Sequence, residues 1–448
     1  MNMPVDPTLF PPLSRLLRHC LALALGLAAT LTSSAGDDGF TVINSVAELR
    51  RFAVQDDVRV RMTPGTYQLN EATDHHFIRF TGRNSHFDLR GVTLQIDNAL
   101  FRKFGVISGP DGFYCALDLS GDGIVFEGIT TVNVGEGYGI GGRNKIINIS
   151  GSGVTLRDAD ITTSGSNPWG YGSLFGISKG DVRKMNGIRV GWPAKGSKLI
   201  GCRVHMRAMG HAIFVQGVAD TLIEDCQVDG LLRPTNEILK DTSGYAFDRG
   251  FRSTGKNYVE GVTVGPDGHI LPDEMISLSE DGIRLYSDGG DGHPTGPTTI
   301  RRCTVRQMRR GICTGLGPGA DRVIDCEVLD CVAAGFNIGS GDRLENCRAN
   351  ARYAEALSCP YHASRGAVVD LEILDSRAGL ANDLLATING RNHQVHLHTR
   401  NPAFVPQSFV IEQGTNRGYA FYQKGTPVAS GIALQNETPA RVVPLPRP

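Results

Sequence analysis

Aromatic residues are scarce in this chain, 7% of 448 positions with Trp at only two, and 45 Lys and Arg are offset by 46 Asp and Glu. A formal net charge of −1 excludes the domain-wide cationic surface that phosphate recognition requires, so no nucleic-acid partner is expected, although a local basic groove is compatible with it. No Cys-x-x-Cys pair is present to support a zinc site. The apolar run Leu21–Leu31 is too short, and too quickly followed by polar residues, to be a membrane span. What the chain has in abundance is glycine, 56 residues, which suits a fold that turns tightly several times per repeat.

The N-terminus has the layout of a secretory leader: Arg15, Arg18 and His19, then the apolar run, then the small residues Ser33, Ser34 and Ala35. Residues 1–35 are therefore expected to be a signal peptide, with the mature chain starting near Gly36 and residing outside the cytoplasm, secreted or periplasmic. Cys20 precedes the apolar run, which argues against a lipoprotein anchor. A single domain is expected over 36–435, with a flexible Pro-rich tail at 436–448.

Five related phrases mark the coils of a solenoid: Asn186-Gly-Ile-Arg-Val190, His211-Ala-Ile-Phe-Val215, Asp281-Gly-Ile-Arg-Leu285, Arg310-Gly-Ile-Cys-Thr314 and Ala334-Gly-Phe-Asn-Ile338. A second phrase follows most of them and carries Cys202, Cys226, Cys303, Cys326 and Cys347, spaced 21 to 24 residues apart wherever no loop intervenes. That period is the coil length of a parallel β-solenoid. Weaker coils are expected at 77–97, 115–134 and 146–163, and Val42–Arg51 has helical spacing suited to a cap over the first coil. A cysteine that recurs with the period is best read as an interior stack of free thiols. The off-register Cys115, Cys313, Cys331 and Cys359 are the better disulfide candidates.

Alternation within each phrase turns Ile188, Val190, Ile213, Val215, Ile283 and Leu285 inward and leaves Arg189, Phe214 and Arg284 outward. Stacked coils then make two ladders, Arg189, Phe214, Arg284 and, at the corner entering the strand, Asn186, His211, Asp281, Arg310. Two long insertions, 163–185 and 230–280, leave from the same turn of the coil and should wall this face. They carry Trp169, Tyr171, Lys184, Arg233, Lys240 and Tyr245, and a smaller loop, Ser287–Pro294, should close the far side of Arg284. Cations that neutralise carboxylates, beside aromatics that cover sugar rings, favour an anionic polysaccharide partner containing uronate. Oxygen ligands for Ca²⁺ exist at Asp288 and Asp291 and at Glu280 and Asp281, but no spacing compels a metal.

Met206-Arg-Ala-Met-Gly-His-Ala-Ile-Phe-Val-Gln-Gly217, Arg233-Pro-Thr-Asn-Glu237, Ser279-Glu-Asp-Gly-Ile-Arg-Leu-Tyr286 and Trp169-Gly-Tyr-Gly-Ser-Leu-Phe175 resemble secreted right-handed parallel β-helix polysaccharide lyases, alginate lyases among them. The resemblance implies an all-β chain, a single right-handed parallel β-helix, and β-elimination on a polyuronate. Relatives on this fold include epimerases with an Asp-Pro-His-Asp motif and polygalacturonases with Gly-His-Gly; this chain lacks both and offers Gly210-His-Ala212. For elimination, Arg284 is the first candidate to neutralise the uronate carboxylate, with Arg189 or Arg310 assisting. His211 is the candidate base with Asp281 fixing its tautomer, Tyr286 the candidate acid, and Lys184 or Lys240 the rival bases. Arg189, Arg207, Arg233, Lys240, Tyr245, Arg310 and Trp169 are the candidate substrate-binding residues. A glycosidase would need facing carboxylates, and only Asp281 with Glu237 or Asp248 offers itself. A uronate epimerase and a non-catalytic carbohydrate-binding solenoid are the remaining readings.

Overall fold

The computed structural model describes residues 39–443 except 108–111, 138–142, 176–181, 254–263, 290–291, 318, 377–381 and 423–424. The expected signal peptide falls outside the described residues. Val46–Ala53 forms a helix whose Ser45 side chain accepts from the Glu48 main-chain N–H, while the Glu48 carboxylate accepts from the Asn44 N–H. Its Leu49 and Ala53 are buried against the first coil, as a cap over the open end requires.

Beyond the cap each regular coil contributes three strands, for example Lys184–Gly191, Lys198–Ile200 and Arg203–Met206. The first strand of every coil joins a 12-stranded parallel sheet running from His76–Phe80 to Arg441–Val443, and the others join the second, 21-stranded assembly. The coils expected at 77–97, 115–134 and 146–163 are all present. Paired strands also include Ala433–Glu437 and Arg441–Val443, so strand pairing extends through residue 443, into the segment read as a flexible tail, whose residues 444–448 lie outside the described residues.

Repetition in the sequence is geometry repeated. The corner between the second and third strands is a left-handed residue at Asp158, Asp225, Arg302, Asp325 and Asn346, each with φ between 51° and 55°. Asp and Asn tolerate that conformation well; Arg302 does not by itself, but its guanidinium bonds Asp225 of the preceding coil at 2.8 and 3.0 Å. The residue after each corner points inward, and that is where Cys226, Cys303, Cys326 and Cys347 sit, buried and unbridged. Their thiols donate to backbone carbonyls. Cys115, Cys313, Cys331 and Cys359 are likewise buried free thiols, so the disulfide expectation for them fails: each lies within its own coil with no second sulfur placed to bond it. The Gly of the recurring phrase is steric, since a Cβ at Gly282 or Gly311 would lie 2.3 or 2.2 Å from Val305 or Val328 across the coil.

Both insertions rise from the same corner and pack on each other. Tyr171, Leu174 and Phe175 of the first and Ile238, Ala246, Ile270 and Ile276 of the second share a small apolar core of their own. Arg233 clips the two together, donating to the Gly170 carbonyl at 3.1 Å and to Asp241 at 2.7 Å.

Candidate active site

Strand register delivers both ladders. Ile188, Ile213, Ile283 and Ile312 are in line, which places Asn186, His211, Asp281 and Arg310 at one corner and Arg189, Phe214, Arg284 and Cys313 along the sheet face. Outward from the sheet does not mean exposed to water, however. Asp281 is 0% exposed and His211 and Arg284 are each 6% exposed. At this level the outward-facing ladder forms a buried polar cluster, because side chains of neighbouring coils and a later segment of the chain cover it.

Asp281 is its centre. Its two carboxylate oxygens accept from Arg310 Nε and Nη2 at 2.6 and 2.8 Å, from Arg284 Nη1 at 2.6 Å and from Arg309 Nη2 at 3.2 Å. Beside it, Glu280 accepts from Lys184 Nζ at 2.7 Å. Four cationic side chains face two carboxylates, so the cluster carries a net positive charge that favours an anion. Burial pushes both carboxyls up, but the cations overcome it: Glu280 is held at about 2, chiefly by Lys184, and Asp281 is held well below the usual carboxylate range by Arg310, Arg309 and Arg284. Both Asp281 oxygens are committed to guanidinium groups, and the surrounding cations disfavour a calcium ion at the Glu280 and Asp281 pair. Asp291 lies outside the described residues.

His211 faces this cluster. Its Nδ1 lies 3.4 Å from both the main-chain N–H and the carboxylate Oδ2 of Asp281, and its Nε2 lies 2.8 Å from Tyr286 Oη and 3.4 Å from Glu280 Oε2. Burial pushes the imidazole down to about 3, against the pull of Glu280 and Asp281, so it is neutral at physiological pH. Burial also pushes the Tyr286 phenol up to about 12, which keeps its proton in place. Arg284 stacks over the Tyr286 ring at 4.6 Å, and its Nε makes no hydrogen bond. Tyr286 and Lys184 are the half-buried members, through which the cluster meets solvent.

The remaining sequence candidates divide by position. Arg189 belongs to the sheet face, bonding Asn148 at 3.1 Å and Gln216 at 3.4 Å. Arg310 also donates to Tyr419 Oη, and Arg309 lies one position before it in the same ladder. Lys240 and Trp169 are exposed on the insertions. Three others have structural partners. Arg207 bonds Asp229 at 2.7 Å where the third strands of two coils meet. Arg233 is the clip between the insertions, and Tyr245 packs edge-on to Phe175 at 4.8 Å while bonding Arg249. Arg233 and Tyr245 were placed in the wall by residue type, and in the structure they bond within the wall itself. Glu237 and Asp248 are exposed on short helical turns of the second insertion. At the far side, His293 stacks on Trp192 at 4.2 Å and 11°, so the small loop reaches across the coils.

Arg309 and Tyr419 were missed. Arg309 had a signal, since the doublet Arg309-Arg310 stands in register with Glu280-Asp281. Tyr419 had none, because it follows Arg310 by 109 residues and lies in no recurring phrase.

No protein-family model and no curated protein matches this chain. Solved structures similar to it include the pectate lyase Pel9A, at 11% identity over 76% of this chain and 72% of that chain with a TM-score of 0.43. The alginate lyase AlyF-OU02 is 12% identical over 92% and 90%, with a TM-score of 0.45. An alginate lyase in complex with a trisaccharide is 12% identical over 91% and 85%, with a TM-score of 0.43. At such identities the likeness is to the parallel β-helix fold of these polysaccharide lyases. No helix among the described residues is long and apolar enough to cross a membrane.

Proposed function

We propose that the chain is a secreted polysaccharide lyase that cleaves a uronate-containing polymer, alginate-like in chemistry, by β-elimination. The observation that carries the reading is the His211 and Tyr286 pair, 2.8 Å apart, beside a cluster with surplus positive charge. A uronate carboxylate brought to Arg284 loses part of its negative charge, which acidifies the proton on C5. Base action requires the His211 tautomer in which Nδ1–H turns to the Asp281 carboxylate, 3.4 Å away, instead of accepting from the Asp281 main-chain N–H; Nε2 then takes that proton as the Tyr286 hydroxyl turns from it toward O4. The C5–H electrons form the C4=C5 double bond, the C4–O4 bond breaks, and Tyr286 O–H protonates the departing O4. The proton on His211 then returns to Tyr286 through the same 2.8 Å contact, so the site resets without an outside acid. A neutral imidazole depressed to about 3 is a weak base in the empty site, but the negative charge of the substrate and of the developing carbanion raises its proton affinity at the moment of transfer.

Hydrolysis by two facing carboxylates is less well supported. Asp281 is enclosed by guanidinium groups, whereas Glu237 and Asp248 are exposed on the insertion. The experiment is to incubate the purified protein with a panel of uronate polymers and follow both ultraviolet absorbance of a 4,5-unsaturated product and new reducing ends. Elimination predicts that both rise together; reducing ends without the absorbance would reassign the protein to hydrolysis.

A further inference from the structure

On the second strand assembly, well away from the Asp281 cluster in sequence, three successive coils line up an unusual set of side chains. The strands Val368–Ile373, Gln394–His398 and Ala433–Glu437 pair in parallel, with Asp370 opposite His396 and Gln435, and Glu372 opposite His398 and Glu437. Val369, Leu371, Val395 and Leu397 are buried between them, so alternation turns the polar residues outward. His396 and His398, two apart on one strand, therefore project from the same face, and their rings stack with centroids 4.8 Å apart and an interplanar angle of 26°.

We propose that Asp370, His396 and His398 form a binding site for a divalent transition-metal ion of the zinc class. One ligand atom from each can be chosen so that all lie within 4.8 Å of one another, a convergence found for no other His, Cys, Asp or Glu group among the described residues. Asp370 Oδ1 is 2.9 Å from His396 Nδ1 and 3.5 Å from His398 Nε2. Zinc bonds of about 2.0–2.2 Å in a tetrahedron separate neighbouring ligand atoms by about 3.3–3.5 Å, so small side-chain rotations suffice. Two imidazoles with one carboxylate select zinc, copper or nickel over calcium or magnesium. Glu437, whose Oε2 is 3.5 Å from His396 Nε2, and Gln435, which donates to Glu437 at 2.6 Å, supply an outer ring from the next coil. The three metal ligands are partly exposed, which leaves an entry path. A metal held there ties the strand Val368–Ile373 of one coil to the strand Gln394–His398 of the next.

The test uses the mature full-length chain, free of any affinity tag, stripped with chelator and titrated calorimetrically with Zn²⁺. One equivalent should bind, and Ca²⁺ should not replace it. His396→Gln and His398→Gln should each abolish that uptake, and Asp370→Asn should weaken it, with circular dichroism unchanged because all three side chains face outward. In the wild type, Zn²⁺ should also slow amide hydrogen exchange across residues 368–437. Absence of uptake, or uptake that survives both histidine substitutions, overturns the proposal. Neither result bears on the Asp281 cluster, whose substitutions should leave Zn²⁺ uptake intact.

Discussion

Two sets of buried carboxylates on the same solenoid are shifted in opposite directions. Glu280 and Asp281 lie among Lys184, Arg284, Arg309 and Arg310 and are held ionised. Asp321 and Asp342, one and two coils on, are as deeply buried, yet their partners are main-chain N–H groups and a hydroxyl: Thr298 N–H for Asp321, and Asp321 N–H, Gly339 N–H and Thr314 Oγ1 for Asp342. Burial therefore pushes both up, and the neighbouring Asp342 helps take Asp321 to about 8. Burial is common to both sets, so partners decide the charge. A ladder of carboxylates bonded to backbone closes corners; a carboxylate ringed by guanidinium groups organises cations, and a substrate anion can use them.

The largest difference between the two regions should appear on deleting their acids. Asp281→Ala leaves three buried guanidinium groups without their shared counter-charge and should cost about 3–5 kcal/mol in denaturant unfolding. Asp321→Asn replaces a side chain that already holds its proton near pH 7 and should cost no more than about 1 kcal/mol. Equal costs would erase the contrast.

The pH dependence should separate them next. His211 has a folded pKa below its ordinary 6.5, so the unfolded chain binds the extra proton between about 3 and 6.5, and this residue's contribution to stability is present above 6.5 and lost as pH falls. Wild-type stability minus that of His211→Gln should therefore shrink on acidification, by up to about 1.4 kcal/mol per pH unit. Asp321 has a raised folded pKa, so its contribution is present below about 4 and lost as pH rises through about 8. Wild type minus Asp321→Asn should shrink on alkalinisation. Denaturation midpoints across pH 4–8 measure both slopes, and slopes of the same sign would contradict the assignment.

Much of this arrangement was legible in the sequence because parallel register copies one phrase from coil to coil. Ile188, Ile213, Ile283 and Ile312 could be aligned by eye, and the ladder of His211, Asp281 and Arg310 came with them. Burial of the ladder was not legible. Period-two alternation tells which side of the sheet Arg284 leaves from, but what lies over it depends on distant residues such as Tyr419. The walls illustrate the same limit: the shared point of departure of the two insertions was readable, but Tyr245 and Arg233 read as ligand-binding because a loop sequence does not reveal that it folds on its neighbour.

The smaller predictions concern these supporting parts. Arg233→Ala removes the half-buried clip between the insertions and should cost about 1–2 kcal/mol, read most sensitively as faster proteolysis within 163–185 and 230–280. Unchanged cleavage would mean the shared apolar core suffices. The smallest effect should come from reductant, which is expected to leave the thermal midpoint unchanged, since all nine described cysteines are free thiols. A downward shift would reveal a disulfide.

The most direct test of the central claim is the elimination rate of His211→Ala and Tyr286→Phe on the polyuronate that the wild type cleaves, with folding checked by circular dichroism. If the pair moves the proton from C5 to O4, each variant should bind the polymer and lose about 10²–10⁴ in turnover. Folded variants that form unsaturated product at the wild-type rate would contradict it and place the chemistry elsewhere on the solenoid.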